Sequence, residues 1–220
     1  MATDISLRRA QAKDIDFIIE TIIEAEKSFS NKISYCQIFS LSEVELIKMF
    51  QKILSADIKG QELCYSEYLV AEDDANYVGA CASWVEGTEG FNSSVLKANI
   101  LIEYMGSEKI NEAQHLFKYL HQINIERELN TLQIVNAYIK PDYRGRGLIS
   151  RLISEHIEQQ KINYPFIKKV QLRPTGTNES AYKAYNKMGF EFVLEKKVEE
   201  DFILDFIPSK SKILMEKYLE

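Results

Sequence analysis

Arg144, Gly145, Arg146 and Gly147 stand between two stretches of different periodicity, and that placement gives them a chemistry. Upstream, Leu132 to Ile139 is β-rich and is closed by Pro141 and Asp142; downstream, Leu148, Ile149, Leu152, Ile153 and Ile157 recur at helical spacing. The segment reads as a strand passing through a glycine loop into a helix. The first N–H groups of a helix lack internal partners and lie at the positive end of its dipole, so they can hold a pyrophosphate without any side chain. Gly145 and Gly147 let the backbone approach such a ligand, and Arg144 and Arg146 add charge. Taken alone, the same residues also describe a basic turn with solvated arginines.

This loop resembles motif A of the GNAT superfamily of acyl-CoA-dependent N-acetyltransferases, whose pattern is Arg or Gln, two residues, Gly, one residue, then Gly or Ala. Arg144 and Gly147 match it, while Ile149 puts a β-branched side chain where the pattern has a small residue. Asn178, Ala181, Tyr185, Gly189 and Phe190 reproduce the family's second signature without a departure. A strand ending in Arg9, followed by a helix capped by Asp14, extends the likeness over the chain except for residues ~30 to 65 and ~87 to 130. The resemblance implies acetyl-CoA as cosubstrate and no metal. It implies that the backbone of Ala137, Tyr138 and Ile139 pairs with the pantetheine amides, and that the pyrophosphate lies on the loop from Arg144 through Leu148 and Ile149. Asn178 would bond the pantetheine arm or cap the next helix.

Acyl transfer to an amine requires a neutral nucleophile, a polarised carbonyl and a proton for the departing thiolate. A lysine-like amine with a pKa of ~10.4 is neutral only about once in 2,500 molecules at pH 7, so a base or an apolar pocket must help. The resemblance assigns Tyr185 to the coenzyme sulfur. A phenol pKa of ~10 against ~8.5 for a thiol makes outright proton donation about 2 kcal/mol uphill, which favours a hydrogen bond that strengthens as charge develops. The same spacing fits a core tyrosine on an amphipathic helix. The carboxylate that some relatives carry on the fourth strand has no counterpart, since Gln133, Asn136 and Tyr138 occupy that run. Glu86 and Glu103 are then the base candidates, and Glu103 is placed to attract a cationic amine; each also reads as a solvated carboxylate. His115, His121 and His156 have no metal-ligand spacing, and Trp84 reads as a pocket wall or a core ring.

These residues need a scaffold. Ile5 to Arg9 predicts a strand, and Ile15, Ile18, Ile19, Ile22 and Ile23 a helix behind Asp14. Ser42 and Glu45 form a capping box for a helix reaching about Ile58, and residues 30 to 41 give no pattern. Tyr68 to Ala71 and Tyr77 to Val85 predict a hairpin. Helices over Ser94 to Met105 and from about Ile110 to Ile123 form an insertion at about 87–130, between strands three and four. The first is too apolar to be left solvated, so it packs on the domain, lines the acceptor side or makes a homodimer interface. Leu132 to Ile139, Val170 to Leu172, Phe190 to Val198 and Ile213 to Tyr218 supply the remaining strands. The expectation is one GNAT-like α/β domain over residues 1–220: a mixed sheet of about seven strands flanked by helices, splayed between strands four and five.

Composition narrows the partners. A net charge of −6 and a pI near 5.3 exclude a broad nucleic-acid face and favour a cationic acceptor. The apolar tract near residues 95 to 105 is too short to span a membrane, and the opening MATDISLRR has no signal-peptide core, so a cytoplasmic location is expected. Cys36, Cys64 and Cys81 are widely spaced and suit reduced thiols. The leading expectation is an N-acetyltransferase acting by direct attack on a small-molecule primary amine. The alternatives are a non-catalytic acyl-CoA-binding module and a transferase acting on a protein amine.

Overall fold

A computed structural model describes residues 5–28 and 30–220, arranged around one seven-stranded sheet. The strands are Ser6–Arg9 (β1), Tyr68–Asp73 (β2), Asn76–Val85 (β3), Leu132–Ile139 (β4), Lys169–Leu172 (β5), Glu191–Lys197 (β6) and Ser211–Tyr218 (β7). Their spatial order is β1-β2-β3-β4-β5-β7-β6, antiparallel throughout except for the β4–β5 pair. The helices are Ile15–Lys27 (α1), Ser34–Phe39 (α2), Glu43–Ala56 (α3), Ser93–Met105 (α4), Ser107–Leu120 (α5), Leu148–Asn163 (α6) and Glu179–Lys187 (α7). The expected mixed sheet, with a helical insertion between β3 and β4, is the observed architecture.

Along β2, Tyr68 and Val70 enter one apolar cluster and Leu69 and Ala71 enter another, so the strand is buried on both faces. The first cluster gathers Phe17, Ile18 and Ile22 of α1 with Phe50, Ile53 and Leu54 of α3. The second packs Leu148, Leu152 and Ile153 of α6 on the opposite face. A smaller third cluster joins Leu116 of α5 and Ile123 to Val198, Ile203 and Ile207, tying the insertion to the β6–β7 connection.

Several expectations need correction. Asp14 precedes α1, but its side chain makes no cap bond there. The carboxylate instead takes Arg8 Nη1 at 2.6 Å, the Tyr77 hydroxyl at 2.6 Å and Gln11 N at 2.7 Å, because a buried carboxylate gains more from a guanidinium than from one amide. Ser34–Phe39 is helical although its short pattern gave no signal, and α3 stops at Ala56 as Asp57 turns left-handed. The last two strands do pair, yet β7 lies between β5 and β6. On α4 only Ser93, Ile100 and Leu101 are buried, while Val95 and Ile102 face outward, so the apolar face is only partly covered. Trp84 is a core ring, 1% exposed.

His156 is a second buried polar group of this fold. Its ring contacts Ser83 Oγ at 2.6 Å and the Cys81 carbonyl at 2.8 Å, fixing α6 to β3. Burial pulls its pKa down to about 3, so the folded protein keeps it neutral while the unfolded chain protonates it near 6.5. The folded pKa lies below the unfolded one, so stability is full above the unfolded value and declines as pH falls beneath it. About 1.5 kcal/mol should be lost between pH 6.5 and 5, before the carboxylates titrate. Urea unfolding at those two pH values should show the loss in the native protein, and His156→Gln should flatten it.

Candidate active site

The ladder between β4 and β5 consists of three pairs, Leu132–Val170, Gln133–Gln171 and Ile134–Leu172, and then ends. Beyond Leu172 the chain follows β7 instead: Ile213 N donates to the Pro174 carbonyl at 3.0 Å, and Thr175 bridges to Lys212. The edge of β4 from Val135 to Ile139 is left without a strand on that side, which is the splay expected between these strands. β4 also bulges, since Ala80 pairs with Tyr138 and Ala82 with Val135, leaving Asn136 and Ala137 opposite Cys81 alone. Asn136 adopts φ 49°. Asparagine tolerates this left-handed region better than a branched residue, and its Nδ2 donates to the Tyr68 hydroxyl at 2.8 Å. Tyr68 in turn donates to the Glu62 carbonyl at 2.9 Å, so the bulge is held from the neighbouring layer.

A cleft of about 1580 Å³ follows this edge. One end is the glycine loop. Gly145 and Gly147 have φ of 75° and 74° with open space where a Cβ would stand, so glycine is required there by backbone conformation rather than by crowding. No side chain caps the start of α6, whose first amides follow Gly147 at the cleft. Arg144, Gly145, Gly147, Leu148, Ile149 and Ser150 line this end. Arg146 does not: its guanidinium sits 4.8 Å from the Tyr143 ring centre and donates to the Asp142 carbonyl. Ile149, the departure from the motif, lines the cleft and also packs on the second core cluster.

Ala137, Tyr138 and Ile139 border the middle of the cleft on the β4 side. Asn178 and Tyr185 border it on the other. Asn178 caps α7 through Ala181 N at 3.0 Å and also lines the cleft. The Tyr185 ring rests edge-on against Phe190. Burial raises the pKa of its hydroxyl, which has no hydrogen-bond partner among the described residues and stays a proton donor at neutral pH.

The far end is lined by Tyr35, Ile38 and Phe39 from α2, Lys97 and Leu101 from α4, Phe117 and Leu120 from α5, and the segment 207–209. Neither carboxylate singled out as a base reaches it. Glu103 lies two residues past Leu101, about 200° around the helix, and is exposed outside the cleft lining. Glu86 is buried and fully engaged by Trp84 Nε1 at 2.9 Å, Ser93 N at 2.7 Å and Ser93 Oγ at 2.7 Å, a structural clamp on the start of α4. The carboxylates at the cleft are Glu24, Glu26 and Glu62. Glu62 accepts from Lys97 Nζ at 2.5 Å and Arg127 Nη2 at 3.3 Å; against the opposing effect of burial, these cations hold its pKa at about 2. Glu62, Lys97, Arg127 and Asn136 had no motif to mark them. The only sequence signal was an asparagine, tolerant of positive φ, inside a β run. Among the described residues no cluster of three or more His, Cys, Asp or Glu is arranged to hold a metal, and no helix is long and apolar enough to cross a membrane.

The sequence model of the acetyltransferase (GNAT) domain matches residues 64–192. No curated protein matches the chain in sequence. Among solved structures, an N-acetyltransferase from Staphylococcus aureus Mu50 superposes with a TM-score of 0.61 at 16% identity, covering 96% of this chain and 100% of that one. An agmatine N-acetyltransferase mutant in its apo form gives 0.59 at 13% identity, covering 98% and 100%. The yncA protein of Salmonella typhimurium, solved with its cofactor acetyl-CoA, gives 0.55 at 13% identity, covering 99% and 95%. At these identities the structures attest the fold.

Asn136 carries the testable consequence of this geometry. Asn136→Ala removes the bond to Tyr68 and leaves a residue less tolerant of positive φ, so stability should fall by about 1–3 kcal/mol in urea unfolding. The stabilisation gained from added acetyl-CoA should shrink as well, because the bulge shapes the edge expected to pair with the pantetheine amides. An unchanged ligand shift would separate the bulge from the binding edge.

Proposed function

The chain belongs to the GNAT acetyltransferase family, and on that premise we propose that it transfers an acetyl group from acetyl-CoA to the primary amine of a small molecule by direct attack in a ternary complex. Acetyl-CoA, the donor of this family, supplies an acetyl thioester. The cleft fits it in three respects. The amides that open α6 after Gly147 meet an anion, the unpaired edge from Val135 to Ile139 meets an extended amide chain, and the volume of about 1580 Å³ exceeds the ~300–1,000 Å³ of ordinary small-molecule pockets. There is room for a second substrate.

The observation that favours a small acceptor is that side chains of α2, α4, α5 and the 207–209 segment line the far end of the cleft from several directions. A protein lysine or N-terminus would need an open groove there. In this reading the Tyr185 hydroxyl, unpaired and protonated, donates to the sulfur as it becomes anionic. Of the three carboxylates at the cleft, Glu24 is paired with Lys27, Glu62 at about 2 is too weak a base, and Glu26 forms no ion pair among the described residues. Neighbouring cations also act on the acceptor, since like charge disfavours its ammonium form. The buried free thiols Cys36, Cys64 and Cys81 support a reducing, cytoplasmic setting.

Two measurements test the proposal. Release of coenzyme thiol across a panel of amines, with acetyl-CoA binding followed in parallel, should give turnover; tight binding without turnover on any amine would leave a binding module. Tyr185→Phe should lower turnover by about 10 to 1,000-fold while acetyl-CoA affinity stays nearly constant, because the lost interaction is made mainly as the thiolate forms. Unchanged turnover would return Tyr185 to a packing role.

A further inference from the structure

Resting on the reading of an amine acetyltransferase, we propose that the acceptor carries a carboxylate beside its amine, and that Lys97, Arg127 and Lys212 receive that carboxylate at the far end of the cleft. Four cationic side chains line this end, Lys97, Arg127, Arg173 and Lys212, against two carboxylates, Glu26 and Glu62. Glu24 and Lys27, also at the cleft, pair with each other at 2.6 Å. The excess of positive charge stands in a chain of net charge −6, so it is not the overspill of a basic protein.

The counter-ions do not suffice. Glu62 divides its two oxygens between Lys97 and Arg127. Arg173 is held by neutral acceptors only, Gln133 Oε1 at 2.5 Å, Gln171 Oε1 at 2.8 Å and the Glu126 carbonyl at 3.0 Å. The buried Nε atoms of Arg127 and Arg173 find no acceptor among the described residues. Lys212 is exposed on β7 at the cleft, and its ammonium forms neither a hydrogen bond nor an ion pair among them. The buried, unpartnered Nε groups of Arg127 and Arg173 are costly unless a ligand completes the site, whereas Lys212 stands open to an incoming anion.

The coenzyme phosphates are not that ligand. Arg127 lies over Trp84, 5.1 Å from its ring centre, and Trp84 pairs with Gln133 at the start of β4. The glycine loop follows the other end of the strand, so six residues, or about 20 Å, separate the two regions. The cations lie past the Asn136 bulge as seen from the loop, on the acceptor side. The same field lowers the acceptor's ammonium pKa, so one group of residues binds the carboxylate and favours the nucleophilic amine. A diamine acceptor, with a second cation, would be repelled.

The test compares matched acceptors: phenylalanine, its amide and phenethylamine, with glutamate and 4-aminobutyrate extending the carboxylate set. Turnover of a carboxylate-bearing amine should exceed that of its matched amide or amine by about 100-fold in kcat/KM. Lys212→Gln, which breaks no internal contact, should raise KM for that acceptor about 10 to 100-fold, the worth of one charge-assisted hydrogen bond, and leave acetyl-CoA binding alone. Equal or better turnover of the carboxylate-free amines overturns the inference and leaves the transferase standing. Should nothing be turned over, calorimetry on the CoA-loaded protein decides. Binding of an N-acetylated member of the carboxylate set that Lys212→Gln abolishes supports the anion site and removes the catalytic reading. Absence of any carboxylate-dependent binding overturns the anion site.

Discussion

The end of hydrogen bonding between β4 and β5 after Ile134 and Leu172 is the constraint on which the rest of the structure depends. A strand edge left open in the middle of a sheet leaves peptide groups that need partners, and such an edge is unfavourable unless something pairs with it. The fold sustains it by giving each strand a better neighbour on its other side. β4 stays paired to β3 through a bulge anchored by Asn136 and Tyr68, while β5 and the residues after it follow β7. The cleft is therefore built into the sheet and does not depend on a loop closing over its surface.

The glycine loop gains its meaning from the same feature. Gly147 turns left-handed so that α6 starts at the mouth of the splay, and α6 then returns the chain to β5. The uncapped amides of α6 and the unpaired strand edge thus belong to one crossover unit.

The far end is organised by charge rather than by apolar closure alone. Glu62 is drawn in by the bond from Tyr68 to its carbonyl, and its carboxylate then collects Lys97 from the insertion and Arg127 from the approach to β4. Breaking that cluster would strand a charge in a half-buried place, which is costlier than losing a surface pair. It also means that the carboxylate nearest the bulge is committed to structure.

Much of this was legible in the chain itself. Alternation and 3.6-residue periodicity are local properties, and they located every strand, the helices carrying the glycine loop and Tyr185, and the insertion between β3 and β4. The positions of Gly145, Gly147 and Asn178 followed from φ and capping requirements that a sequence states directly. What the sequence could not decide was which side chains meet. Glu103 and Lys97 share α4, yet only Lys97 faces the cleft, since a few residues of helical phase separate a cleft wall from solvent. Glu86 reads like a free carboxylate until Trp84 and Ser93 are folded onto it. Asp14 looked like a cap until Arg8 and Tyr77 arrived from neighbouring strands. Periodicity fixes what is local, whereas charge pairing joins residues far apart in the chain, and only the tertiary structure brings those charges within reach of one another.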